Sequence, residues 1–168
     1  MSPNAQKAFA LLKTGIFTLL VPGTVAFYVP YLLEHRAHSW LATPESAWQI
    51  LGLLPLAAGV AMYLWCAWDF AVTGRGTPLP IDAPRVLIVK GLYRYVRNPM
   101  YVGVLSAILG LAIWSASLTV LIYFVCVWMA MFVFVMFYEE PHLRRVFGEQ
   151  YEDYCGRVNR WLPKLPAK

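Results

Sequence analysis

Two short stretches carry the side chains best suited to chemistry. The first is Arg97-Asn98-Pro99-Met100-Tyr101 and the second Glu139-Glu140, with His142 close behind. Together they offer a guanidinium, a carboxamide, a phenol and two carboxylates, a set able to hold a zwitterionic ligand through charge-assisted hydrogen bonds. They serve one site only if the chain between them folds back on itself. Two apolar runs joined by Ser115-Ala116-Ser117 lie between them, and antiparallel helices there would return both stretches to one face. A plainer reading exists: Arg97 and Glu139 are flanking charges that anchor helix ends and pair with each other.

The elements that must position these residues are membrane spans. Hydrophobic residues make up 60% of the 168 residues and charged ones 14%, against roughly 45–50% and about 25% in soluble domains. This predicts an all-α integral membrane protein of one domain, with about four transmembrane helices, a C-terminal helical hairpin and an amphipathic tail helix. The expected spans are 9–33, 47–72, 100–117 and 118–138. Pro22, Gly23 and Pro30 kink the first, which reads as a retained span rather than a cleaved leader. The third run, up to Trp114, rises only about 22 Å against a hydrocarbon core of about 30 Å, unless it continues into the Ser115 to Ser117 turn.

The net charge of +5 comes from basic residues in short connections, which favours topology signals and lipid headgroup contacts over nucleic acid. The segment 73–99 holds Arg75, Arg85, Lys90, Arg94 and Arg97, and the tail six more Lys or Arg. The positive-inside rule therefore places both termini and the 73–99 loop in the cytoplasm. From Pro141 to Trp161 the apolar residues Leu143, Phe147, Tyr151, Tyr154, Val158 and Trp161 recur at helical spacing, so this tail is amphipathic. Cys66, Cys126 and Cys155 show no paired or metal-ligand spacing and read as packing residues; His35 and His38 read as solvated, and no metal is expected.

The order Gly91-Leu92-Tyr93-Arg94-Tyr95-Val96-Arg97-Asn98-Pro99-Met100-Tyr101-Val102-Gly103, a hairpin, then Tyr138-Glu139-Glu140-Pro141, Phe147-Gly148, Tyr151, Tyr154 and Arg157 resembles the isoprenylcysteine carboxyl methyltransferase and phospholipid methyltransferase superfamily. The resemblance covers roughly Gly74 to Pro163. It implies an S-adenosylmethionine-dependent methyltransferase, with a cofactor pocket formed by the loop before the hairpin, the hairpin's cytoplasmic ends and the 139–163 segment as a cover. It implies cofactor-binding roles for Val89, Gly91, Tyr93, Arg97, Asn98, Pro99, Tyr101, Gly103, Glu139 and Glu140, with Arg97 and Glu140 also at the reaction centre. Pro99 also suits a helix start, and Gly103 close helix packing.

Asn98 stands where isoprenylcysteine enzymes usually carry histidine, whereas Asn-Pro-Met-Tyr also occurs in phospholipid N-methyltransferases. The resemblance therefore leaves the methyl acceptor open between a prenylcysteine carboxylate, a phospholipid amine and another membrane-associated molecule. Gly74-Arg75-Gly76 is a candidate for the upstream Gly-x-Gly of the phospholipid enzymes, with a plain turn as its alternative. A lipid or lipid-linked substrate and the bilayer are the implied partners, and the oligomeric state stays open. Two rival classes share the scaffold: a nicotinamide-dependent reductase of the sterol reductase type, and a non-catalytic membrane protein.

Overall fold

The computed structural model describes residues 3–35, 46–73 and 87–164. Its helices are α1 (Pro3–Leu20), α2 (Val29–His35), α3 (Leu53–Thr73), α4 (Pro99–Trp114), α5 (Leu118–Phe134), α6 (Glu140–Phe147) and α7 (Glu149–Arg157). Three stretches are long and apolar enough to cross a membrane, Leu11–Glu34, Ala47–Phe70 and Leu118–Phe147, and α4 is a shorter apolar helix. The protein is an all-α membrane protein. The nearest approach to a strand among the described residues is one isolated bridge between Val96 and Asn159.

α3 and α4 form the densest contact in the molecule, and the reason lies in four glycines. Gly59 of α3 lies against Gly103, and Gly52, the last residue of a 3-10 helix (Ala47–Gly52) that leads into α3, lies against Gly110, so the two segments run antiparallel with backbones nearly touching. A Cβ on Gly103 would stand 2.8 Å from the carbonyl oxygen of Gly59, and one on Gly110 would stand 2.6 Å from that of Gly52. Small residues are what permit such an approach where lipid leaves no hydrophobic drive between helices. Around this seam Tyr63, Ala67, Val104, Ala107, Ile108 and Leu111 form the buried core, joined by Ala26 and Val120.

The first and last spans are irregular in the same way. Within the first, Thr24–Tyr28 is a π turn closed by the N–H of Val29 bonding to Thr24 O. The next π-type bond would need an N–H from Pro30, which has none. The carbonyl of Val25 is instead satisfied by the hydroxyl of Tyr123 on α5, at 2.9 Å. In the last span a second π turn covers Val135–Glu139, closed by Glu140 N–H to Val135 O, and again a proline, Pro141, comes directly after.

The hairpin turn falls at Ser115-Ala116-Ser117, where the sequence places it. α4 ends at Trp114, short of the expected limit at 117, because the Ser115 hydroxyl bonds back to Leu111 O at 2.9 Å and Ala116 takes a positive φ of 51°. Ser117 then caps α5 through Val120 N–H. The tail also differs from the continuous helix expected over Pro141 to Trp161: Gly148, at φ 53°, separates α6 from α7, and Val158 leaves the helical conformation. The Gly74-Arg75-Gly76 candidate and the His38 loop lie outside the described residues.

Candidate functional site

The hairpin brings the two chemical stretches together at one end of the bundle. The hydroxyl of Tyr101, in the first turn of α4, donates to Glu139 Oε2 at 2.8 Å. Both residues line a cavity of about 720 Å³ shared with Tyr93, Arg97 and Asn98 at this end. Away from that polar end the walls are apolar: Phe17, Val21, Pro22 and Val25 from the first span, Tyr63 and Phe70 from α3, Met100 and Val104 from α4, and Tyr123, Val127, Ala130, Met131 and Phe134 from α5. The volume is that of a small-molecule site, with few polar groups in a mostly apolar lining.

The second π turn decides which acid enters this cavity. Val127, Met131 and Phe134 form one helical stripe, and an unbroken α-helix would next present Tyr138. The extra residue in the turn brings Glu139 to the cavity instead and leaves Tyr138 half exposed. Single π turns of this kind recur at functional sites.

Glu140 has a different fate. It is 2% exposed, and its two oxygens accept from Arg160 Nε at 2.6 Å and Nη2 at 2.8 Å. Arg97 Nη1 stands 3.4 Å from the same carboxylate and Arg144 4.0 Å. The hydrogen bonds to Glu140 hold the Arg160 guanidinium above its ordinary pKa. Arg97 thus reaches from the cavity into a buried charge knot, where it also meets the Cys155 thiol, while its Nε is buried without a hydrogen-bond partner.

The tail is stitched over the loop that carries these residues. Arg97 N–H donates to Asn159 O at 2.9 Å, Asn98 Nδ2 to Arg160 O at 3.2 Å, and Lys164 N–H to Tyr95 O at 2.8 Å. The Tyr154 hydroxyl donates to Tyr93 O at 2.7 Å. Burial pushes the pKa of the Tyr154 phenol up, so it stays a protonated donor to that backbone carbonyl at neutral pH. Trp161 lies beside Tyr101, with centroids 6.5 Å apart, and stacks on Phe132 at 6.4 Å; its indole N–H is buried without a partner.

Of the ten residues singled out from the sequence, Tyr93, Arg97, Asn98, Tyr101 and Glu139 line the cavity, whereas Glu140 belongs to the knot behind it. Val89 packs on the cluster of Tyr151, Tyr154 and Val158. Gly91, at φ 55°, lies against the Asp69 carboxylate, where a Cβ would collide. Pro99 is fully buried in the first turn of α4 and Gly103 is in the α3–α4 seam.

Sequence reading placed Trp161 only on the apolar face of the tail and gave no site role to Arg160 or Asp69. The last had a signal: it is the lone acid in the 47–72 run, and one of its oxygens is buried without a hydrogen-bond partner. Among the described residues no group of three His, Cys, Asp and Glu side chains converges as a metal ion would require.

An all-helical membrane protein with a cavity that is polar at one end and apolar between its spans defines the class. The phospholipid methyltransferase family model matches residues 47–150, and the chain belongs to that family. It is 35% identical over 77 residues to a probable protein-S-isoprenylcysteine O-methyltransferase of Oryza sativa subsp. indica, covering 46% of this chain and 40% of that one. It is 29% identical over 97 residues to the phosphatidylethanolamine N-methyltransferase of Schizosaccharomyces pombe, covering 58% of this chain and 10% of that one. A nickel-cobalt-cadmium resistance protein, NccN, of Alcaligenes xylosoxydans xylosoxydans is 26% identical over 154 residues, covering 80% and 68%. The chain thus spans less than half the length of the two methyltransferase relatives. No solved structure gives a significant match.

Proposed function

We propose that this protein is an S-adenosylmethionine-dependent methyltransferase acting on a lipid or lipid-linked acceptor at the cytoplasmic face, with both termini on that side. One observation carries the reading: a single cavity joins a zwitterion-binding end, Arg97 with Glu139 and Tyr101, to an apolar interior between the spans. The fit is supported by the unpartnered buried Nε of Arg97 and by Glu139, which faces the cavity with Tyr101 as its hydrogen-bond donor.

Arg97 would hold the cofactor's carboxylate, Glu139 its ammonium or ribose, and Tyr93 and Tyr101 the flanking walls. When bound, the cofactor supplies a methyl group already activated on a sulfonium. The chain's own contribution is then alignment and exclusion of water. Glu140 positions Arg97 through the shared charge knot rather than touching the ligand. An ionised carboxylate acceptor needs no base here, whereas an ammonium acceptor must lose a proton, and Glu139 is the acid that lines the cavity. Asn98, a carboxamide, cannot serve as that base.

Calorimetry with the purified protein tests the reading. S-adenosylmethionine should bind saturably, and Arg97→Ala and Glu139→Ala should each weaken it tenfold or more, the loss of one charge-assisted contact. Unchanged affinity in both variants, or binding of NADPH in place of S-adenosylmethionine, would sink it. Incubation of membranes with methyl-labelled cofactor then identifies the acceptor by which extracted fraction gains label.

A further inference from the structure

We propose that Tyr123, pinned across the first span by its bond to the Val25 carbonyl, is the chain-length stop for a single hydrocarbon chain lying in the cavity. The inference rests on the proposed function for the owner of that chain, the membrane acceptor, and concerns where its tail ends.

Three observations carry it. First, α5 lines the cavity at successive turns from Tyr123 to Phe134, and Glu139 closes the polar end. Glu139 lies 16 positions after Tyr123, a rise of about 24 Å, most of the depth of a hydrocarbon core of about 30 Å. Second, Tyr123 is the first residue of α5 to line the cavity, and the side chains next to it on both spans are buried. Val120, one turn earlier on α5, is 1% exposed and Ala26, next to Val25, is 3% exposed. Third, the phenol is fixed rather than free to swing. Its hydroxyl answers the Val25 carbonyl that the π turn and Pro30 leave without a backbone donor, at 2.9 Å.

The cavity's total of about 720 Å³ also includes the polar end, where the cofactor is assigned. The remaining apolar length suits one extended chain. A second chain of a two-tailed lipid would stay in the bilayer.

Native mass spectrometry of the detergent-purified protein reads this out without requiring turnover. The probes are lysophosphatidylethanolamines from decanoyl to eicosanoyl, and S-geranyl-, S-farnesyl- and S-geranylgeranyl-cysteine. In the wild type, affinity should climb roughly fourfold per buried methylene until the chain reaches Tyr123, then level or fall. Tyr123→Ala should move the best-bound member to a longer chain and raise the affinity of the longest by tenfold or more. Tyr123→Phe, which keeps the ring but loses the bond to the Val25 carbonyl, should keep the length optimum with a shallower fall beyond it.

Val127→Trp, one turn nearer the polar end, should shift preference to shorter chains, and it decides the matter if Tyr123→Ala does not fold. Whichever series shows the length dependence names the source of the chain. An identical profile in wild type and Tyr123→Ala, or no length dependence in either series, overturns the stop. Saturable S-adenosylmethionine binding alongside a flat profile leaves the methyltransferase reading standing. A Tyr123-dependent profile without that binding does the reverse.

Discussion

The α3–α4 seam and the cavity wall formed by the first span and α5 are built from similar apolar sequence, yet one is closed and the other open. In the seam, Gly52, Gly59, Gly103 and Gly110 let α3, with the 3-10 turn before it, meet α4 at backbone distance. On the cavity side, both helices carry a π turn with a proline close after it, and bulky residues such as Phe17, Tyr123 and Phe134 line space instead of filling it. Close-packed helices with small residues make a rigid half. Irregular helices with large residues leave room for a ligand and aim single groups, Glu139 and Tyr123, into it.

If the two halves divide the work in this way, substitutions should separate stability from binding. The largest loss of stability is expected where the halves are tied together. Glu140→Ala leaves Arg160 and Arg97 without their buried counter-charge and should cost about 3–5 kcal/mol, read as a lowered thermal midpoint in detergent. Glu140→Gln should recover only part of this, because it keeps acceptor geometry without the charge.

Within the seam, Gly59→Ala would place its Cβ 2.6 Å from the Ala107 backbone nitrogen, an overpacking cost of about 1–3 kcal/mol, while the residues of the polar end stay unaltered. The smallest stability effect is expected at the cavity. Tyr101→Phe removes one hydrogen bond to Glu139 and should change stability by about 1 kcal/mol or less, while weakening S-adenosylmethionine binding measurably in calorimetry. If the seam variant impairs cofactor binding at unchanged stability, or Tyr101→Phe unfolds the protein, the division of work is wrong.

Much of this was legible in the sequence because membrane burial imposes long apolar runs and sharp polar boundaries. The four helical segments, the hairpin between Arg97 and Glu139, and the meeting of Tyr101 with Glu139 are consequences of that pattern. Less legible was the tail. Its apolar spacing is helical throughout, but Gly148 adopts a positive φ and the chain beyond Val158 leaves the helix and is held by bonds to Tyr95 and Arg97, contacts that no local periodicity encodes. Arg160 looked like one more basic residue of a cytoplasmic tail, and only its approach to Glu140 gives it a place.

The adjacent glutamates show where the boundary falls. Residue types and spacing determined that a membrane-embedded bundle would gather Arg97, Asn98, Tyr101, Glu139 and Glu140 at one end, since hydrophobic length and antiparallel pairing leave little alternative. Which glutamate meets the cavity was decided by the tertiary structure. A one-residue π insertion before Pro141 turns Glu139 inward, and Glu140, a step further round the helix, becomes the buried partner of an arginine 20 residues away in sequence. Neighbours in sequence lie about 100° apart on a helix, so a single added residue in the turn reassigns their roles.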